Sequence, residues 1–366
     1  MRKAMVLFSL PLIVLAACTP TSTPTPLPPT ATIAAPTATR AAIASPTAAA
    51  ATKAAASADC AASNTLEELG ACVTAKMPRK DSNGYVMPTK ATQDAWKQIA
   101  AQMLSGKCED IVLPEQLKIA YTIGAFTDKQ NNTRYCVLME TLDSNNDGRV
   151  DRGWGTFIVN NQPTRELSIQ APHPLYDVAT ESEAIAVFKG TDARSFMLAG
   201  SHRDANPQRT TCEPSTGEGE ADAAHNDTSL FFTTTQALAD YYNANGKAWD
   251  EIQFHGMGAS TCSGVDAFIS NGTSKPPKSG DKIPELRANI AKRNSQWAIT
   301  VAGETPPCGE TGGTNVEGRL LNNVPAAQVC ATSASDDFGK FIHIEQKTNL
   351  RAAIADWIAA INATWK

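Results

Sequence analysis

The sequence predicts an α/β protein, a mixed sheet of about eight strands flanked by helices and preceded by a small helical segment. Two patterns carry this prediction. Short apolar or alternating runs read as strands: KIAYTIGAF, RYCVLMETL, WGTFIVN, ELSIQAP, SFMLAGS, EIQFHGM, QWAITVAG and FIHIEQ. Runs with apolar residues at three- and four-residue spacing read as helices: ESEAIAVFKG, DTSLFFTTTQALADYYNANG, KIPELRANIAKRN and NLRAAIADWIAAINATWK. The early strands are joined by short turns and the later ones are separated by helices, so the sheet should be mixed. The later, continuously apolar strands should be central and covered on both faces.

Ahead of the sheet, residues 59–110 read as helical. TLEELGACVTAKM and TQDAWKQIAAQMLSG have the helical period, Thr65 or Thr92 supplies a cap, and Gly106 a stop. This segment is too small to fold well alone. Residues 111–366 are left as the main domain.

The first residues read differently. Arg2 and Lys3 precede an apolar run too short to cross a bilayer comfortably, and small residues follow. Residues 1–18 therefore read as a secretory signal, and Leu15 to Cys18 (LAAC) resembles the bacterial lipobox, which implies diacylation of Cys18. Residues 19–58 are nearly all Thr, Pro, Ala and Ser, the composition of an extended tether. Together they predict a domain held outside the cytoplasm on a membrane surface.

Net charge is −5 with both signs interspersed, and no basic run or basic–aromatic stripe suggests nucleic acid. Eight cysteines follow Cys18, an even number that predicts four disulfides in an oxidising compartment. No CxxC occurs, which argues against a zinc knuckle or a thioredoxin-type site. Pairing of chain neighbours is expected, for example Cys212 with Cys262 and Cys308 with Cys330.

The histidines carry the chemistry. His173, His202 and His255 each fall at or just past the carboxyl end of a probable strand, where open α/β sheets bind ligands. His343 lies within FIHIEQ, and His225 in a loop, ADAAHND, that also holds Asp222. Catalytic zinc takes three protein ligands and keeps a position open. His173 and Asp177 from one loop and His255 from a distant strand supply such a set, with Glu181 as the competing carboxylate. Glu345 shares a strand face with His343, away from Ile342 and Ile344, and a carboxylate there needs a reason, since burying it bare is costly. It is the expected proton acceptor, with a salt bridge to Arg351 as the structural alternative. Arg203 is expected to grip a substrate carboxylate or polarise a carbonyl. His202, His225, Asn315, Arg319 and His343 are expected around the substrate.

This order of elements resembles the zinc carboxypeptidase fold, and in particular the poly-gamma-glutamate hydrolases and related amidohydrolases. The resemblance covers roughly residues 111–366. It places His173 at the family's first histidine, Asp177 at its glutamate, His255-Gly256 at its HG and Glu345 at its late catalytic glutamate. It departs in lacking His-x-x-Glu and in having Pro174 for a glycine. It implies zinc-dependent hydrolysis of peptide or gamma-glutamyl amides, with an extracellular peptide or polymer as substrate. A non-catalytic surface protein that binds a glycan or peptide is the alternative.

A second metal motif, DSNNDGRVD, offers Asp143, Asn145, Asp147 and Asp151 with Gly148 at the sixth position, as an EF-hand loop begins. The twelfth position is Trp154, which excludes an EF-hand proper. A calcium-stabilised turn or a plain Asn-Asp-Gly turn remains.

Overall fold

A computed structural model describes residues 59–212 and 217–366. Cys18, the signal-like segment and the Thr/Pro/Ala stretch lie outside the described residues.

The chain opens with α1 (Leu66–Ala75), α2 (Lys90–Leu104) and a single turn, α3 (Glu115–Lys118). Thr65 caps α1 by accepting from the Glu68 N–H. Thr89, not Thr92, caps α2, and Thr92 is the residue whose N–H it accepts. The sheet then begins with β1 (Tyr121–Thr127), β2 (Arg134–Glu140), β3 (Thr156–Asn160) and β4 (Arg165–Ala171). Next come α4 (Thr180–Gly190), β5 (Ala193–Leu198), α5 (Leu230–Asn245) and β6 (Asp250–Gly256). The chain continues through β7 (Ala267–Ser270), α6 (Lys282–Arg293), β8 (Ile299–Val301) and α7 (Val316–Leu321). It closes with β9 (Phe341–Gln346), α8 (Thr348–Arg351) and α9 (Ile354–Thr364).

The sheet has nine strands in the order β1-β2-β3-β5-β4-β6-β9-β7-β8. Pairing is antiparallel from β1 through β3 to β5, and parallel through β5-β4-β6-β9. β7 runs antiparallel to β9 and parallel to β8. The mixed α/β sheet is therefore as expected, with one strand more than the sequence suggested. The extra strand is β7, four residues long and followed by a Gly/Pro/Ser-rich stretch that masks it.

The central strands explain where the site lies. Side chains alternate across a strand. On one face, Leu167, Ile169, Ala171, Ile252, Phe254, Ile342 and Ile344 pack with α1, α4, α6 and α9 in one apolar core. The other face carries Ser168 and Gln170 on β4, Glu251, Gln253 and His255 on β6, and His343 and Glu345 on β9, all buried. Register aligns them into rows: Gln170 is level with Gln253 and Gln253 with His343, while His255 is level with Glu345. This face is covered by a second core that includes α2 and α5. The helical segment thus divides, with α1 in the first core and α2 in the second.

Four disulfides form: Cys60–Cys72, Cys108–Cys136, Cys212–Cys330 and Cys262–Cys308. The first two join chain neighbours. The expected pairs Cys212–Cys262 and Cys308–Cys330 do not occur. Pairing follows which loops meet in space, since Cα atoms must approach within about 7 Å. The loops after β6 and β8 meet through Cys262–Cys308, and the loop after β5 meets the segment beyond α7 through Cys212–Cys330.

The Asp143–Asp151 loop turns its oxygens onto its own backbone. Asp143 accepts from the Asp147 and Gly148 N–H groups, Asp147 from that of Arg149, and Asp151 from that of Ser144. Asp143, Asp147 and Asp151 are not among the groups of described residues whose ligand atoms converge on one point. The bonding is that of a self-satisfied turn.

Loop-closure entropy orders the disulfides. Cys212–Cys330 spans 118 residues and Cys60–Cys72 spans 12, so removing the first should cost about 5 kcal/mol and the second about 3 kcal/mol. Denaturant unfolding of the paired Cys→Ser variants checks the order.

Candidate metal centre

β4 ends at Ala171, and the chain turns at once through Pro172 and His173. The turn closes with the Asp177 N–H donating to the His173 carbonyl at 2.9 Å, so both side chains fall on one side. His255, at the end of β6, points to the polar face and reaches the same place. Gly256 follows because a β-carbon there would stand 2.1 Å from the Arg351 guanidinium, which packs behind it.

Three ligand atoms converge. His173 Nδ1 lies 3.2 Å from Asp177 Oδ2 and 3.2 Å from His255 Nδ1, and His255 Nδ1 lies 3.7 Å from Asp177 Oδ2. Ligands of a tetrahedral zinc, held at about 2.0–2.2 Å, lie about 3.3 Å apart. The far nitrogens decide the tautomers. His173 Nε2 meets Asp222 Oδ1 at 2.9 Å, and His255 Nε2 meets Gln253 Oε1 at 3.1 Å. Both partners only accept, so both Nε2 atoms carry hydrogen. In the neutral rings the two Nδ1 lone pairs therefore face each other and a carboxylate oxygen. Such an arrangement needs a cation between its members, and the donor set of two imidazoles and one carboxylate suits zinc.

The electrostatics agree. Burial and Arg203 pull the His173 pKa down, but Asp222 and Asp177 overcome them and push it up to about 9. In the metal-free protein a proton thus occupies the place of the cation. His255 is driven well below its ordinary value by burial and then by His343 and His173. Burial opposes the charge of Asp222, yet His225, His173 and Arg203 hold it well below the usual carboxylate range. An acceptor on the far nitrogen of each histidine fixes ring orientation and raises ligand basicity.

Glu345 stands beside the three ligands. Its Oε1 is 4.0 Å from His255 Nδ1 and 3.7 Å from His343 Nε2, and it accepts no hydrogen bond from the described residues. Burial, then Asp177 and Glu310, raise its pKa well above the ordinary value. Arg351 spends its terminal nitrogens on the carbonyls of Val178, Met257 and Gln346. His343 packs its ring 4.3 Å from that of His255, and burial with His173 and His225 pushes its pKa down to about 3, so it is neutral. Gly312 (φ 64°) covers it, where a β-carbon would approach the ring within 2.9 Å.

These groups line a cavity of about 440 Å³ whose far wall is the loop Gly309–Asn315. His225 lines it and is held between Asp222 (3.0 Å) and the Thr314 hydroxyl (3.1 Å). Asn315 lines it too, but its side chain caps α7 through the Gly318 N–H and donates to Gln253 Oε1 at 2.7 Å. Arg203 lines it, donating to Glu218 at 2.6 Å and pairing closely with Asp222.

Other expected residues lie elsewhere. His202 is not part of the cavity wall, and its Nδ1 accepts from the Asp204 N–H. Arg319 donates to the Gly313 and Val329 carbonyls and braces the loop from behind. Glu181 sits in the first turn of α4, outside the converging set, and Asp177 occupies the place for which it competed.

Sequence reasoning passed over Gln253, although it lies two residues before His255 on the same strand face. It also passed over what Gln253 leads to. Its amide donates to Gln170 Oε1 at 2.9 Å, and Gln170 donates to Glu251 at 2.6 Å. Glu317, level with this layer, is buried and its pKa is pushed up to about 8 by burial.

No family model matches the sequence, and no curated protein matches it. Solved structures give distant likenesses. A gene product of Agrobacterium tumefaciens is 12% identical (TM-score 0.30), covering 55% of this chain and 85% of its own. A candidate carboxypeptidase A from Shewanella denitrificans is 14% identical (TM-score 0.31), covering 72% and 67%. A metallo-carboxypeptidase from Burkholderia cenocepacia is 12% identical (TM-score 0.29), covering 76% and 68%. Likeness this distant carries no argument about chemistry.

Two outcomes follow from the geometry. Asp222→Asn should weaken zinc binding about 10–100-fold, measured by competition with a chelator. Because His173 is protonated up to about pH 9 in the metal-free protein, zinc uptake at pH 7 should release about one proton, and affinity should rise with pH. Calorimetry in buffers of different ionisation enthalpy counts that proton.

Proposed function

We propose that the protein is a zinc-dependent hydrolase of amide bonds of the peptide or gamma-glutamyl type. The observation that carries this reading is the facing pair of Nδ1 atoms with Asp177 Oδ2, beside a carboxylate, Glu345, that has no hydrogen-bond partner among the described residues. His173, Asp177 and His255 would hold the metal. When bound, zinc polarises a scissile carbonyl and acidifies water, and its charge opposes the rise in the Glu345 pKa.

The chain's own groups supply the rest. Glu345 takes the proton of the attacking water as the oxygen bonds to the carbonyl carbon. It then delivers that proton to the leaving nitrogen as the carbon–nitrogen bond breaks. Burial of the wall keeps Glu345 short of competing donors. Asp222 and Gln253 hold the two imidazoles in one tautomer. Arg203, paired with Asp222, keeps that carboxylate ionised and in place.

The LAAC sequence at Leu15–Cys18 supports a lipid anchor at Cys18, and four disulfides support an oxidising, extracytoplasmic location. A surface location suits external peptides or polymers.

Glu345→Gln tests the assignment. The variant should retain one zinc per chain and lose about 10²–10⁴-fold in amide hydrolysis. Full zinc occupancy in the natural protein with no turnover across acyl-amide substrates would instead indicate a binding protein.

A further inference from the structure

Among the described residues, the cavity wall holds one guanidinium, Arg203, and no lysine, against the carboxylates of Asp177, Glu218, Glu310 and Glu345. Arg203 is committed. Its Nη2 donates to Glu218 and pairs with Asp222, and its Cζ lies 5.0 Å from the centre of the Tyr176 ring. Asp222 is fully buried and is itself held by His173 and His225. A substrate carboxylate would have to compete with two carboxylates already bound to that cation, one of them out of reach of water. Replacing a charge-assisted pair by another of the same kind gains little.

Glu310 is the converse case. It lies on the cavity loop, is exposed, and makes no hydrogen bond or ion pair with any described residue. It lines the same cavity as Glu345 and the three ligand residues. A dication in the His173–Asp177–His255 tripod would be offset by Asp177 and Glu345, and Glu310 would remain uncompensated. The mouth of the cavity therefore favours a cation.

We propose that the site selects amide substrates carrying an ammonium group beside the scissile bond, with Glu310 as counter-ion, and disfavours a free carboxylate there. The Arg203–Glu218–Asp222 cluster acts as wall and not as anion clamp. This deepens the amide-hydrolase reading and rests on it. It turns the choice of substrate toward peptides of basic or diamino residues and away from polyanionic gamma-glutamyl chains.

The test uses three N-acyl dipeptide-like amides that differ only in the leaving amine: glycine, glycinamide and ethylenediamine. Turnover is measured with the zinc-loaded protein, and binding by calorimetry on the same zinc-loaded protein with the matching sulfonamides, which it cannot hydrolyse, so that Glu345 keeps its charge. The cationic member should exceed the anionic one by about tenfold or more in kcat/KM and in affinity. Glu310→Gln should remove most of that preference. Glu218→Gln, which leaves Arg203 one partner fewer, should improve the glycine compound several-fold relative to glycinamide. Preference for the free carboxylate, indifference to Glu310→Gln, or no binding of any member would overturn the proposal. Binding in the expected order without turnover would uphold the selectivity and sink the hydrolase reading.

Discussion

Two imidazole nitrogens whose rings already donate from their far sides can rest 3.2 Å apart beside a carboxylate oxygen only when something positive lies among them, a proton on His173 in the metal-free protein or a metal ion in its place. The rest of the structure around the site depends on that constraint. Asp222 and Gln253 create it, by claiming the far nitrogen of each ring. Arg203, His225 and Asn315 maintain it, because each holds one of those two acceptors. The energetic cost is considerable: a fully buried aspartate, a buried glutamine and two buried histidines occupy space that apolar side chains would fill more cheaply. Here ligand atoms of His173, Asp177 and His255 converge on one point.

The fold makes this layer by the simplest means available to a sheet. Strands β4, β6 and β9 each alternate, apolar toward α4, α6 and α9 and polar toward the opposite face. Parallel register then stacks the polar residues into rows, so that one strand brings His255 level with the next strand's Glu345. The loops at the carboxyl ends supply what strands cannot, the turn that aims His173 and Asp177 together. Two disulfides tie the rim loops, Cys262–Cys308 and Cys212–Cys330, which compensates for their Gly-rich and irregular sequence.

Much of this was legible in the chain. The helix and strand periods gave the mixed α/β sheet, and the strand-end positions of His173 and His255 marked the edge where they meet. Glu345 was legible because it shares a face with His343 between isoleucines. What was not legible depends on contacts remote in sequence. Gln253 looks like any strand polar residue until His255 and Gln170 are seen at its two ends. The segment Val316–Leu321 hides as a helix behind TGGT and is only six residues long. β7 is too short to show a period. Arg203 reads as an anion grip in isolation, and its pairing with Glu218 and Asp222 is set by a loop that the sequence does not place. Pairing of chain neighbours holds for Cys60–Cys72 and Cys108–Cys136 but not for Cys212–Cys330 and Cys262–Cys308, because spacing says nothing about which rim loops adjoin.

The most direct test of the account is anomalous diffraction at the zinc edge from crystals of the zinc-loaded protein. The account predicts one strong peak about 2.0–2.2 Å from His173 Nδ1, Asp177 Oδ2 and His255 Nδ1, with Glu345 not a ligand. A peak coordinated by Glu345 and His343, or no peak among these side chains, would contradict it.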